Sequence, residues 1–170
     1  MNAIRIRPAE ESDAAAVGGL YRRSFNLTFG HLYDPADLAA FMAKAGDEAF
    51  AAAIRDPACR VNLAEGEGGL HGFSCVGDQD IPVETGARWT VLRQLYLEDR
   101  ARGGGAAQAL LNHAIAEARA DGAEELYLTV YIDNHRARRF YDRNGFVEVG
   151  AYAYRVGNHI DDDRIMRLKL

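Results

Sequence analysis

Residues 97–115, Leu-Glu-Asp-Arg-Ala-Arg-Gly-Gly-Gly-Ala-Ala-Gln-Ala-Leu-Leu-Asn-His-Ala-Ile, join an apolar strand end to a glycine run and an amphipathic helix beginning at about Ala106. The first turn of a helix carries backbone N–H groups with no partner inside the helix, at the positive end of its dipole. Such a point binds phosphate. Gly103, Gly104 and Gly105 let the main chain approach an anion without interference from a Cβ, and Arg102 adds a cation beside it. A nucleotide P-loop would need Lys then Ser or Thr after the glycines, and this chain has neither there. A dinucleotide fingerprint would need Gly or Ala where Gln108 stands. The plainer alternative is a flexible strand-to-helix turn without a ligand.

A second segment sets polar groups beside the first. Leu126, Leu128, Val130 and Ile132 alternate as one face of a strand. Asp133 and Asn134 can cap the helix that follows, which carries Ala137, Phe140 and Tyr141 on one side, and Asn144-Gly145 ends it. Tyr141 is the candidate proton donor. The alternative is a core aromatic, a place for which Phe140 is the better fit, with Tyr141 turned the other way.

Arg-x-x-Gly-x-Ala at Arg102, Gly105 and Ala107, directly after Gln-Leu-Tyr-Leu at 94–97, resembles the acetyl-CoA pyrophosphate loop of the GNAT superfamily of N-acetyltransferases. Asn-x-x-Ala-x-x-Phe-Tyr-x-x-x-Gly-Phe at 134–146 resembles the second motif of that superfamily. The resemblance implies an α/β (α+β) fold: a mixed, mostly antiparallel sheet of about seven strands, splayed in the middle and flanked by about four helices. It implies acetyl-CoA as co-substrate, its pantetheine arm lying between the strand ending at Leu97 and the strand at 126–132 like an added strand. On this reading Leu95, Tyr96 and Leu97 hold the arm. The N–H of Leu97 polarises the thioester carbonyl and stabilises the oxyanion. Gly103, Gly104, Gly105, Ala106, Ala107 and Gln108 hold the pyrophosphate, and Asn134, Ala137 and Tyr141 line the channel. Tyr141 then protonates the departing thiolate.

Activation of the acceptor is less well specified. An alkylamine with a pKa near about 10.4 is under about 0.1% neutral at pH 7, so its proton must go somewhere. Many members of the superfamily carry a glutamate where Val91 or Arg93 stands here, and this chain has neither carboxylate. Glu84, Glu98, His31, His159 or a relay of waters are the substitutes, and Arg93 reads as a structural or substrate-facing cation. Phe29-Gly-His-Leu-Tyr33 and the segment 152–166 resemble bacterial polyamine (spermidine/spermine) acetyltransferases, which implies acceptor walls at Phe29, His31, Tyr33, Arg93 and Tyr154. Asp161, Asp162 and Asp163 would suit a polycation; otherwise they are a solvated turn between two strands. The expected activity is acetyl transfer to a small primary amine or polyamine by direct attack on the thioester. A protein N-terminus or lysine is the second acceptor class. A catalytically silent acyl-CoA sensor is the alternative of a different kind, favoured by the missing glutamate.

The elements that must position these groups fall in mixed order. A strand is expected at about 3–7, then a helix capped by Ser12 with Val17, Leu20, Tyr21 and Phe25 as its apolar stripe. A helix after Asp34-Pro35 and another at 47–55 precede strands at 59–65 and 69–77, joined by a glycine turn. A polar loop at 78–87 leads to the strand at 89–97, and Val147–Tyr154 with Arg164–Leu170 close the sheet.

At 170 residues, 48% hydrophobic and 26% charged, the chain reads as one globular domain spanning 1–170. A net charge of −5 argues against nucleic acid and suits a cationic substrate. Cys59 and Cys75 have no metal spacing and read as unpaired thiols in a reducing cytosol, and the five histidines suggest no metal site. The first residues read as a strand instead of a signal peptide, and no apolar run approaches the roughly 20 residues of a membrane span. A cytoplasmic protein is expected, with a homodimer suggested by the strand edges such folds expose.

Overall fold

A computed structural model describes residues 4–170. Seven strands form one sheet: β1 (Arg5–Pro8), β2 (Cys59–Gly66), β3 (Gly69–Gly77), β4 (Trp89–Leu97), β5 (Glu125–Tyr131), β6 (Val147–Val156) and β7 (His159–Lys169), in the spatial order β1-β2-β3-β4-β5-β7-β6. Five helices accompany it, one more than the family resemblance implied: α1 (Ala14–Phe29), α2 (Pro35–Lys44), α3 (Asp47–Arg55), α4 (Ala106–Ala120) and α5 (His135–Arg143). Ala3, the first residue of the expected opening strand, lies outside the described residues.

Local chemistry accounts for most boundaries. Asp34 accepts from the Ala36 N–H at 2.9 Å and Pro35 opens α2, so the cap and the missing donor agree. Ser12 does not cap α1. It sits in a short 3-10 turn, where Glu10 and Asp13 form the capping box instead, and Asp13 is drawn there by Arg7 at 2.7 Å. The expected stripe of α1 is buried: Val17 and Leu20 are inaccessible, and Tyr21 and Phe25 join Phe50, Phe73 and Leu63 in a core over β2 and β3. A second core lies under α4, where Leu111, Ala114 and Ala118 meet Leu126, Leu128 and Met166.

The two cysteines correct the expectation of unpaired thiols. Cys75 faces Val61 across the β2–β3 ladder, which places it diagonal to Cys59 on the same face. Their Cα atoms are 6.5 Å apart and the two are joined in a disulfide. Sequence spacing alone carried no sign of this register.

Five of the six strand pairings are antiparallel, and the exception makes the site. Strands β4 and β5 run parallel and pair only through Trp89–Val91 and Glu125–Tyr127. Beyond that point they diverge. On its other side β4 continues along β3 to Leu97, with a bulge at Arg93: Cys75 faces Gln94, but Val76 already faces Leu92. Bulges increase local twist and bend the strand that holds them.

Gly72 lies opposite Leu97 on β3, and a Cβ there would stand 2.5 Å from the Leu97 side chain and 2.6 Å from the Tyr96 carbonyl oxygen. Gly72→Ala is therefore expected to destabilise the protein by about 1–3 kcal/mol through overpacking. Thermal denaturation should record a loss of a few degrees, whereas an unchanged midpoint would mean that β4 has room to shift.

Candidate active site

The gap between β4 and β5 opens into a cleft of about 700 Å³. Its back wall is β4. The Glu98 N–H donates to the His71 carbonyl at 2.9 Å, so in an antiparallel ladder Tyr96 and Gln94 also aim their polar groups at β3. Leu97 and Leu95 then aim theirs the other way, into the gap that β5 has left. These are two of the three residues expected to hold an extended ligand. Tyr96 borders the cleft too, but its ring packs on Tyr21 at 4.9 Å and Phe73 at 5.8 Å, toward α1.

The glycine loop forms one end. Gly103 and Gly105 have φ of 80° and 88°, a left-handed conformation glycine adopts at little cost. Gly105 is the N-cap of α4 and no side chain caps it, so the N–H groups of Ala106, Ala107 and Gln108 have no acceptor within the helix. Arg102, Gly103, Gly105, Ala107 and Gln108 border the cleft. Gly104 and Ala106 do not: Gly104 is exposed, and the Ala106 side chain is buried with Ala64 and Leu110. Arg102 is half-engaged, 2.9 Å from Asp99.

α5 supplies the facing wall. Asn134 caps it, accepting from the Ala137 N–H at 3.2 Å, and both residues border the cleft. Gln108 donates to Asn144 at 2.7 Å and so ties the glycine-loop helix to the end of α5. Arg136 and Arg143 also line the cleft, and sequence reasoning missed them. Their seven-residue spacing puts them on one helical face, which was the available signal.

Tyr141 borders the cleft, yet the expected contrast with Phe140 is reversed. Tyr141 is the buried ring, packed on Phe146 at 5.5 Å, and Phe140 is only partly buried. Burial raises the Tyr141 phenol above its usual range, so it stays protonated and able to donate at neutral pH.

At the other end Phe29, Tyr33, Arg93, Tyr131 and Tyr154 surround the opening. His31 is exposed on a short turn and does not reach it. Val91 is buried with Ile81, Tyr127 and Ile165, away from the cleft, so that strand position holds neither charge nor access. Of the substitute bases, Glu98 pairs with Arg23 and Glu84 is exposed on a loop outside the cleft. His159 stands behind Asp161, 3.1 Å from its Oδ1. The acidic run is no turn: Asp161–Asp163 lies within β7, so alternation sends Asp161 and Asp163 inward and Asp162 out. Both inward carboxylates line the cleft.

The sequence pattern of the acetyltransferase (GNAT) family matches residues 21–146. A protein of Mycobacterium tuberculosis named as an uncharacterized N-acetyltransferase is 32% identical over 158 residues, 91% of this chain and 96% of its own. Among solved structures, the PaiA N-acetyltransferase of Thermoplasma acidophilum in complex with coenzyme A superposes with a TM-score of 0.79 at 22% identity, covering 99% of both chains. The spermidine N-acetyltransferase of Vibrio cholerae, in complex with CoA and spermine, gives 0.69 at 22% identity over 98% of this chain and 95% of its own. At such identities the two structures speak for the fold. The sequence matches reach further: the chain belongs to the acetyltransferase (GNAT) family and is an acetyl-CoA-dependent N-acetyltransferase.

Proposed function

We propose that the protein transfers acetyl from acetyl-CoA to a primary amine on a small molecule, with polyamines the favoured acceptors. One observation carries the choice: two buried aspartates, Asp161 and Asp163, line the aromatic end of the cleft. A cation brought there gains both carboxylates and the faces of nearby rings. A spermidine N-acetyltransferase shares the fold, and the complex containing spermine is that protein's own. A buried acidic end also suits a small amine better than a broad protein surface.

In this reading the cofactor lies along β4. The N–H and C=O groups of Leu95 and Leu97 bond the pantetheine amides as a neighbouring strand would. The N–H groups of Gly103, Gly105, Ala106, Ala107 and Gln108 hold the pyrophosphate, with Arg102, Arg136 and Arg143 supplying positive charge around it. Gly104 shapes the loop instead, its N–H donating to the Ala101 carbonyl at 3.2 Å. Asn134 fixes the start of α5 and Ala137 leaves room for the arm. The Leu97 N–H stabilises the oxyanion as the amine attacks the thioester carbon. The C–S bond breaks and Tyr141 gives its proton to the sulfur. Phe29, Tyr33, Arg93 and Tyr154 shape the acceptor end, and His31 lies outside it.

Thiol release from acetyl-CoA across a panel of amines tests the assignment. Turnover should be highest with polyamines, and CoA binding without turnover on any amine would overturn it in favour of a silent binder. Tyr141→Phe should lower kcat by about 10²- to 10⁴-fold while CoA still raises the melting temperature. An unchanged kcat would remove the phenol from the chemistry. A Cβ at Gly105 meets open space but an unfavourable φ. Gly105→Ala should thus weaken CoA by about tenfold, the strain being about 1–2 kcal/mol. Gly105→Trp should abolish the thermal protection outright.

A further inference from the structure

The two inward aspartates of β7 differ in what surrounds them. Asp161, 3% exposed, is engaged: the Tyr33 hydroxyl donates to its Oδ2, and His159 Nε2 lies against Oδ1. Asp163, 7% exposed, has no hydrogen bond or ion pair to its carboxylate among the described residues. Asp162, between them, faces solvent and pairs with Arg164 at 2.9 Å. A carboxylate that is nine-tenths buried and unpartnered is costly to keep. This one borders the open cleft, where a ligand can reach it.

The groups that face Asp163 come from several elements. Tyr131 on β5 and Tyr152 on β6 are its partners across the sheet. Tyr154 on β6 and Tyr33 approach from the acceptor end, Asp161 and Asp162 share its strand, and Arg93 on β4 borders the same cleft. Burial first, then the charges of Asp161 and Asp162, push its pKa up to about 7. That value is suited to taking a proton near neutral pH.

The geometry points to Asp163 as the base that accepts the proton of the acceptor's ammonium, a role resting on the amine-acceptor reading above. The ammonium gives one proton to the Asp163 carboxylate. The freed lone pair forms the N–C bond at the thioester carbon, and the C–S electrons leave with sulfur. Tyr141 gives its proton to the thiolate, the nitrogen releases its second proton to water, and the Tyr141 phenolate takes a proton back from solvent. Asp163 finally returns its proton to solvent. Asp161, held by Tyr33, keeps the amine in place and acts as a positioning residue. The missing strand glutamate is thereby replaced from the opposite side of the gap.

Asp163→Asn tests this, with kcat and KM followed from pH 6 to 10 on the best amine of the panel. Wild-type kcat/KM should climb through about pH 7 and level off, because below that pH Asp163 is already protonated. At pH 7 the variant should lose about 10²- to 10⁴-fold in kcat. Its rate should then rise about tenfold per pH unit toward the amine's own pKa, as solution deprotonation takes over. Asp163→Glu should recover part of the loss, Asp162→Asn should keep the plateau kcat and move the break slightly to lower pH by removing one nearby negative charge, and CoA should protect all variants equally from melting. Should the asparagine variant fail to fold, Asp163→Ser carries the same comparison. The role is overturned if the variant keeps its kcat and loses only KM, or if the break near pH 7 persists without Asp163. If wild-type protein acetylates no amine, the acceptor reading itself falls, and the role of Asp163 falls with it.

Discussion

The parting of β4 from β5 is the constraint on which the rest depends. At the near end the two are clamped: the N–H groups of Glu124 and Glu125 reach the Arg88 carbonyl at 2.7 and 3.2 Å, and the Glu124 carboxylate accepts from the Arg88 N–H at 3.0 Å. Arg88 also lies 3.5 Å from that carboxylate through its side chain. Beyond Val91 no ladder pairing joins them among the described residues, and the extra residue at Arg93 bends β4 away. What remains is a strand edge inside a sheet, with unpaired N–H and C=O groups facing a gap. A sheet edge is a template for another extended chain. An amide-bearing arm can fill it without changing the fold.

Two helix starts converge on this edge. α4 begins in glycines and α5 begins in an asparagine cap, and the Gln108–Asn144 hydrogen bond links the first turn of one to the end of the other. The glycine end is therefore braced against the wall that carries Tyr141. Tyr141 itself is fixed by Phe140 and Phe146, whose rings stand 5.3 and 5.5 Å away. Packing of this kind holds both walls of the cleft in place before any ligand arrives.

Charge is sorted along the cleft in a way the net value of −5 conceals. Arginines 102, 136 and 143 stand at the α4–α5 end, and Asp161 and Asp163 at the end near Tyr33 and Tyr154. On the proposed amine-acceptor reading, an anionic cofactor and a cationic acceptor would be drawn to opposite ends, with their reacting groups between them. The aspartates hold their place because β7 is bonded on both sides, to β5 and β6, along most of its length.

By itself the sequence determined the groups whose meaning is local. The glycines at 103–105, the Asn134 cap, Pro35 and the apolar stripe of α1 act within a turn or two of chain, so residue type and spacing suffice to read them. Tertiary structure decided everything that depends on register between distant strands. It joined Cys59 to Cys75, buried Tyr141 more deeply than Phe140, left His31 outside the cleft and extended β7 back to His159. That last step turned an apparent acidic turn into two inward carboxylates and one outward one. The reason is physical: a strand sends successive side chains to opposite faces, so one residue of pairing register decides whether an aspartate meets bulk water or the cleft.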